Sequence, residues 1–129
     1  WERTIEWRND LTIKNMAMMH PFPITEINEK DWYTRLVGST DNKTIYFTIT
    51  LSHDEPIGFI MLRRIDYIHR NCYLGIVIGV DTERGKGYGG EAIDLIMDFA
   101  FKTLNLNKII VEVLCGNDMA LLLYKKLGF

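Results

Sequence analysis

A glycine-rich turn between a strand-like and a helix-like segment constrains this chain more than any other feature. Residues 74–80 (LGIVIGV) are apolar and β-branched, which predicts a strand. Residues 92–104 repeat apolar side chains at intervals of three and four, the pattern of an amphipathic helix. Residues 81–90 (DTERGKGYGG) lie between them, and we call this segment the glycine turn. Its four glycines leave backbone N–H groups without side-chain cover at a helix N-terminus. Such a site favours anions, above all phosphate. We therefore predict a phosphate-bearing cofactor at residues 84–90.

Length and composition limit the chain to one domain, residues 1–129, with a single hydrophobic core. The net charge of −2 gives no general attraction to nucleic acid or to an anionic membrane, so we expect neither partner. No apolar run approaches the roughly 20 residues of a membrane span, and no signal-peptide pattern is seen at the N-terminus. The isolated Cys72 and Cys115 and three scattered histidines lack metal-ligand spacing. We expect a cytoplasmic protein without a disulfide or a metal.

The first forty residues predict helices. A short helix is expected at residues 1–9, and a second one, capped by Asp10 or Thr12, through Met19. A third helix is expected from Thr25, its N-cap, to Val37. Its predicted inward face consists of Trp32, Tyr33, Leu36 and Val37.

The rest of the chain predicts four strands and two further helices. The first two strands read as an antiparallel hairpin. One helix is expected at residues 88–104 and another at 119–127, capped by Asn117 or Asp118 and followed by Gly128. These elements make an α/β layered domain with a mixed sheet, in which the strand–helix–strand unit around the glycine turn is a right-handed crossover. The predicted strands are residues 44–51, 57–65, 72–80 and 108–114.

Three phosphate-binding motifs compete for the glycine turn. Gly85, Gly87 and Gly90 satisfy the dinucleotide pattern G-x-G-x-x-G, but four residues separate the first glycine from the strand, and the earlier strands form a hairpin. A Walker A loop is excluded because Gly87 stands where a Ser or Thr must reach magnesium. The third motif is Arg84-x-x-Gly87-x-Gly89.

The third motif resembles that of the GCN5-related N-acetyltransferases, which carry [Arg/Gln]-x-x-Gly-x-[Gly/Ala] at this place. The resemblance continues through residues 105–113 (NLNKIIVEV) and through the spaced Asn, Ala, Tyr, Lys and Gly-Phe of residues 117–129. Residues 7–10 (WRND) and 64–70 (RIDYIHR) look like the branch of ribosomal-protein N-terminal acetyltransferases and spermidine acetyltransferases. The match is good over residues 57–129 and holds only in outline over residues 1–50.

The resemblance implies the fold of the acyl-coenzyme A N-acyltransferases, a mixed, mostly antiparallel sheet flanked by helices. Family domains have a strand before the first helices and two strands after the Gly-Phe pair, and this chain lacks all three. We therefore expect an incomplete domain with an open sheet edge, not fully active alone and prone to form a homodimer.

The resemblance also implies the cofactor and its ligands. In the family, the turn's backbone amides hold the pyrophosphate of acetyl-coenzyme A, and the preceding strand pairs with the pantetheine arm. Tyr124 matches the tyrosine that protonates the leaving sulfur, although it would also fit as a core residue. Asn117 matches a pantetheine contact, and this role is compatible with a helix cap. The expected cofactor-binding residues are Ile78, Val80, Arg84, Gly85, Lys86, Gly87, Tyr88, Gly89, Gly90 and Asn117.

The expected reaction is acetyl transfer by direct attack of a primary amine on the thioester. The acceptor is left open between a protein N-terminus, a polyamine, an amino sugar and an aminoglycoside-type compound. Alternative functions are a non-catalytic acyl-coenzyme A-binding module, which would not need Tyr124, and a nicotinamide dinucleotide-binding fragment. The candidates for general base are Glu26, Glu29, Glu55, Asp66, His69 and Glu112, each of which also reads as a surface group.

Three further residues are considered near the thioester or the acceptor. Cys115 follows a predicted strand end; we expect a partly buried structural thiol there rather than a covalent acyl carrier, since no histidine is placed to activate it. His20 and Phe22 are either acceptor-pocket residues or ordinary loop residues.

Overall fold

The computed structural model describes residues 2–17, 21–52 and 54–129. Three helices come first: α1 (Glu2–Asn9), α2 (Leu11–Met16) and α3 (Glu26–Gly38). The starts of α2 and α3 are explained by capping side chains. Asp10 accepts a hydrogen bond from the Ile13 N–H, and Thr25 accepts one from the Asn28 N–H. The predicted caps are confirmed.

The α2 helix is shorter than predicted. It ends at Met16 because Ala17 has an extended backbone, with φ of −113° and ψ of 153°. The predicted end at Met19 falls outside the described residues.

The four strands form one mixed sheet in the order β1-β2-β3-β4. The β1–β2 and β2–β3 pairs are antiparallel, and the β3–β4 pair is parallel. The predicted hairpin and the mixed, mostly antiparallel sheet are confirmed. A dinucleotide-binding domain of the doubly wound type needs a mainly parallel sheet. The observed topology therefore disfavours the hypothesis that the chain binds a nicotinamide dinucleotide. The strands are β1 (Ile45–Thr50), β2 (Pro56–Asp66), β3 (Asn71–Ile78) and β4 (Lys108–Val111).

The third and fourth strands both end earlier than predicted. They pair only from Asn71–Lys108 to Leu74–Val111 and then diverge. At the end of β3, the N–H groups of Gly79 and Val80 both donate to the carbonyl of Ile57, at 2.8 and 3.2 Å, so the chain turns there. Residues 112–114 are left without a strand partner. This divergence opens a gap in the sheet beside β3.

The last two helices are α4 (Tyr88–Asp98) and α5 (Asp118–Lys126). Helix α4 begins where predicted, but its last turn, Phe99–Thr103, is a π turn rather than part of a helix running to residue 104. There the Leu104 N–H donates to the Phe99 carbonyl at 3.1 Å, one residue further back than in an α-helix. Asn117 caps α5 as predicted, and Gly128 follows its end with a φ of +92°.

Helices cover both faces of the sheet. On one face, α4 and α5 pack on Ile60, Leu62 and Leu74, and Ile93 in α4 is fully buried. On the other face, Trp7 and Ile13 from the first two helices pack on Phe59 and Val77. No helix in the described part of the chain is long and apolar enough to cross a membrane.

Helix α3 contributes less apolar surface to the core than predicted. Tyr33 and Val37 are 42% and 67% exposed, whereas Glu29 is fully buried and pairs with Arg8 at 2.5 Å. The Arg8 guanidinium also lies 4.3 Å from the centre of the Trp32 ring. Only the narrow face that carries Glu29, Trp32 and Leu36 turns toward α1 and the sheet, so the prediction for Tyr33 and Val37 is wrong.

Candidate active site

The glycine turn connects β3 to α4 with a backbone that favours glycine. Gly85 and Gly87 have φ values of +74° and +95°, in the left-handed region where a side chain causes strain. Gly87 is the N-cap of α4, and its carbonyl accepts from the Glu91 N–H. The first N–H groups of the helix therefore have no helical acceptor and carry the positive end of its dipole. This arrangement suits a phosphate.

The two cationic side chains of the turn bind to the turn itself. Arg84 donates through Nε to the Ile78 carbonyl at 2.9 Å and through Nη2 to the Gly79 carbonyl at 3.4 Å, and it pairs with Asp81. Lys86 pairs with both carboxylate oxygens of Glu83, at 2.9 and 3.0 Å. Their charges are thus largely compensated, and the free donors of the turn are backbone N–H groups. The hydrogen bonds of Arg84 to backbone carbonyls at the end of β3 were not predicted from the sequence.

Two adjoining cavities lie along β3, and together they form the cleft; the smaller one fills the gap between β3 and residues 112–114. The larger, of about 350 Å³, lies against the glycine turn and is lined by Ile78, Arg84, Gly85 and residues 87–90. We call this part the turn end. The smaller, of about 150 Å³, reaches Arg63, Glu112 and Tyr124, and we call it the tyrosine end. The two cavities have common walls, formed by Met16, Ala17, Ile76, Val77, Asn117, Ala120 and Leu123.

Tyr124 projects from α5 into the tyrosine end. Its side chain is 7% exposed, and its ring meets that of Phe129 edge-on with centroids 5.5 Å apart. No hydrogen-bond partner of its hydroxyl is found among the described residues. Burial raises the pKa of the Tyr124 phenol above its ordinary value. The phenol therefore stays protonated at neutral pH, the state that a proton donor requires.

Asn117 lines both cavities and ties two helices together. Its Oδ1 accepts from the Ala120 N–H at 3.1 Å, which is the cap, and its Nδ2 donates to the Met16 carbonyl at 2.7 Å. The structural role of this side chain is thus observed. A contact to a bound pantetheine stays a prediction.

Val80 lies apart from the other predicted cofactor ligands. Its N–H donates to Ile57 and its carbonyl accepts from the Glu83 N–H, so its backbone groups are already paired. Its side chain packs near Trp7 and Phe59, and it lines neither cavity. The structure does not bring it together with the turn end, whereas Ile78 does line the larger cavity. Lys86 is likewise absent from both linings, since it points to Glu83.

Of the six candidates for general base, only Glu112 lines the cleft. Glu29 is buried against Arg8, and Glu26 pairs with Lys30 on an exposed helix face. Asp66 and His69 pair at 2.7 Å in an exposed turn, where hydrogen bonds from the His69 backbone and ring lower the pKa of Asp66. The remaining candidate, Glu55, borders a separate apolar groove of about 740 Å³ between β1 and α4.

The other predicted acceptor positions are less informative. Cys115 is exposed rather than partly buried and lines neither cavity, so that expectation is wrong; the strand β4 ends before it. The buried Cys72, by contrast, has its thiol pKa raised by desolvation to about 11. Phe22 is 66% exposed, and His20 lies outside the described residues. Within residues 2–17, 21–52 and 54–129, no three His, Cys, Asp or Glu side chains are grouped to hold a metal ion.

Comparison with known proteins gives a family and several curated relatives. The acetyltransferase (GNAT) domain family matches residues 1–129. The spermidine N(1)-acetyltransferase of Vibrio cholerae is 35% identical over 89 residues, covering 69% of this chain and 51% of that protein. The Escherichia coli K12 spermidine N(1)-acetyltransferase is 37% identical over 75 residues, covering 58% and 40%. The chain therefore spans about half the length, or less, of these curated relatives.

Solved structures give the same fold. The Vibrio cholerae spermidine N-acetyltransferase in complex with CoA and spermine superimposes with a TM-score of 0.89 at 27% identity, over 98% of this chain and 73% of that one. A dodecameric form of that enzyme in an intermediate state has a TM-score of 0.75 at 29% identity, over 98% and 72%.

Proposed function

Because the chain belongs to the GNAT acetyltransferase family, we propose that it transfers an acetyl group from acetyl-coenzyme A to a primary amine. The observation that carries this proposal is the cleft between the diverging β3 and β4, which runs from the glycine turn to Tyr124. One end of it offers backbone donors to a phosphate, and the other offers a protonated phenol. Such a cleft suits a long cosubstrate that has phosphate groups at one end and a thioester at the other.

The glycine turn would hold the pyrophosphate through the N–H groups of residues 85–90. Gly85 and Gly87 have open space at the position of a Cβ, so a diphosphate can approach the backbone closely. The pantetheine arm would follow the part of β3 that β4 leaves unpaired, residues 75–78. An N–H on this edge would stabilise the oxyanion that develops on the thioester carbonyl.

Tyr124 would act at the other end of the cleft. As the amine nitrogen attacks, the new C–N bond forms, the C–S bond breaks, and the phenol gives its proton to the departing thiolate. The nitrogen releases the one proton that it carries beyond the amide product, and the phenolate is reprotonated. The acceptor must first lose a proton from its ammonium form. The position of Tyr124 in the lining of the cleft supports this assignment, because its hydroxyl has no hydrogen-bond partner among the described residues and is available to the substrate.

The acceptor that we propose is a primary amine. Two relatives are named for spermidine, and a solved neighbour holds spermine. A polyamine is therefore one candidate beside a protein N-terminus. We also propose self-association, which the dodecameric relative supports and which sedimentation velocity can measure. A cytoplasmic location and the absence of nucleic-acid and membrane partners stay predictions.

Calorimetric titration with acetyl-coenzyme A, and separately with NADH, tests the cofactor. We expect micromolar binding of acetyl-coenzyme A alone. An amine screen that detects released coenzyme A would then separate an enzyme from a non-catalytic binding module. Binding of NADH, or of neither ligand, would contradict the proposal.

A further inference from the structure

The tyrosine end of the cleft contains one ion pair. Arg63 on β2 donates through Nη2 to Oε2 of Glu112, just past β4, at 2.8 Å. Both side chains line the smaller cavity together with Tyr124. They are its only charged lining residues in the part of the chain that the structure describes. A bound acceptor would therefore meet one cation and one anion beside the proposed proton donor.

Both members of the pair have unused hydrogen-bonding groups. The Nε of Arg63 is buried and has no acceptor within the described residues. Buried guanidinium donors are normally satisfied, and leaving one unpaired is costly. Glu112 uses only Oε2, and its side chain is 36% exposed, so Oε1 is open to a ligand. The Tyr73 ring centre lies 5.8 Å from the guanidinium carbon and supports it from the side.

We propose that this pair selects acceptors in which the amine sits one carbon from a carbonyl oxygen, as in a peptide N-terminus or an amino-acid amide. The inference rests on the proposed function and names its substrate class. The free Glu112 oxygen receives the ammonium, and the guanidinium donors of Arg63 that Glu112 leaves unused receive the carbonyl oxygen. An ammonium and a carbonyl on adjacent carbons match an anion and a cation held side by side.

A polyamine fits this site poorly. Its several ammonium groups require several acceptors, but among the described residues the cavity offers one carboxylate, which is already paired with Arg63. The guanidinium offers an additional ammonium group no acceptor and places a like charge beside it. The ion pair thus provides both attraction for one acceptor class and repulsion of the other.

Three conjugates of coenzyme A test this inference by binding alone. Each joins the sulfur through an acetyl linker to an amine: the N-terminus of a tripeptide amide, spermidine, or butylamine. The joined nitrogen is an uncharged amide in all three, so the conjugates test the contact of Arg63 with the carbonyl oxygen and the repulsion of further ammonium groups. The butylamine conjugate has neither a carbonyl nor a charge beyond the linker. Their dissociation constants, with that of acetyl-coenzyme A, are measured by calorimetry for the unaltered chain and for two variants.

The variants are Arg63→Met and Arg64→Met. Methionine keeps most of the length of arginine but has no donor. The Arg64 guanidinium also lies near the Tyr73 ring, at 5.3 Å, yet Arg64 does not line the cavity, so it is the matched control. Unchanged affinity for acetyl-coenzyme A shows that each variant is folded.

We expect the unaltered chain to bind the peptide conjugate at least about tenfold more tightly than the spermidine conjugate, with butylamine between them. Arg63→Met should abolish or reverse this order, and Arg64→Met should keep it. Equal or tighter binding of the spermidine conjugate, or an order that survives Arg63→Met, would overturn the inference while the proposed function stands. Failure of acetyl-coenzyme A itself to bind would remove both.

Discussion

The two ends of the cleft recognise their ligands by different means. At the turn end, Arg84 and Lys86 bind to carbonyls and carboxylates of the turn, and backbone N–H groups are left for a ligand. At the tyrosine end, the ligand-facing groups are the side chains of Arg63, Glu112 and Tyr124. One end is thus built from a local backbone conformation, and the other from side chains distant in sequence.

This difference predicts how each end responds to mutation. A backbone site is sensitive to changes of bulk and backbone geometry and tolerates loss of an exposed charge. A side-chain site is sensitive to loss of a single functional group, with little effect on cofactor affinity. Variants at the two ends should therefore separate binding from turnover.

The largest effect is expected from Gly87→Glu. A side chain at this positive φ strains the N-cap of α4, and its carboxylate occupies the space in which an anion would bind. We expect affinity for acetyl-coenzyme A to fall by at least about 1,000-fold, measured by calorimetry.

Gly128→Glu is the matched control for Gly87→Glu. Gly128 has a similar φ of +92° and open space around it, but it follows α5 and lines neither cavity. Its affinity should stay within about twofold of the original. Retained binding by Gly87→Glu would contradict the assignment of the turn end to the pyrophosphate.

The next effect is that of Tyr124→Phe. Loss of the proton donor should lower kcat by about 100-fold and leave the affinity for acetyl-coenzyme A nearly unchanged. Since burial raises the pKa of Tyr124 above its ordinary value of 10.0, the unaltered chain should lose no activity through this group until the pH exceeds 10. Above its raised pKa the phenol ionises and can no longer donate.

A pH–rate profile with an efficient amine acceptor checks both statements. Tyr67→Phe is a suitable control, because its hydroxyl donates to the Asn42 carbonyl in an exposed region outside the cleft. Equal kcat values for Tyr124→Phe and the unaltered chain would mean that another group protonates the sulfur.

The smallest effects are expected from the charges of the turn, and they distinguish Arg84 from Lys86. Arg84→Gln removes the hydrogen bonds to the carbonyls of Ile78 and Gly79. The turn should then hold its conformation less firmly, and affinity for acetyl-coenzyme A should fall about tenfold. Lys86→Gln should change the affinity by about twofold or less, because its ion pair is half exposed.

Salt separates the two explanations for Arg84. If it acts through hydrogen bonds within the turn, the loss in Arg84→Gln persists at 1 M salt, where attraction of a free charge for phosphate would be screened to roughly 3 Å. A loss that disappears at high salt would show that Arg84 contacts the anion directly.

Local sequence patterns predicted most of the fold. Capping residues such as Asp10, Thr25 and Asn117 act within four residues, so the helix starts at α2, α3 and α5 were readable. The positions at which helices and strands end were predicted less accurately. The early end of β4 results from the loss of its pairing with β3, and the end of β3 from hydrogen bonds of Gly79 and Val80 to Ile57; no local pattern encodes either.

The turn end of the cleft follows from local sequence, because glycines at fixed spacing after a strand dictate a backbone shape within about ten residues. The tyrosine end depends on contacts between distant parts of the chain. Arg63 and Glu112 are 49 positions apart and meet through the divergence of β3 and β4. The same reason explains Glu29, whose burial depends on Arg8 reaching it from another helix. A charged side chain reads as a surface group until the fold brings its partner to it.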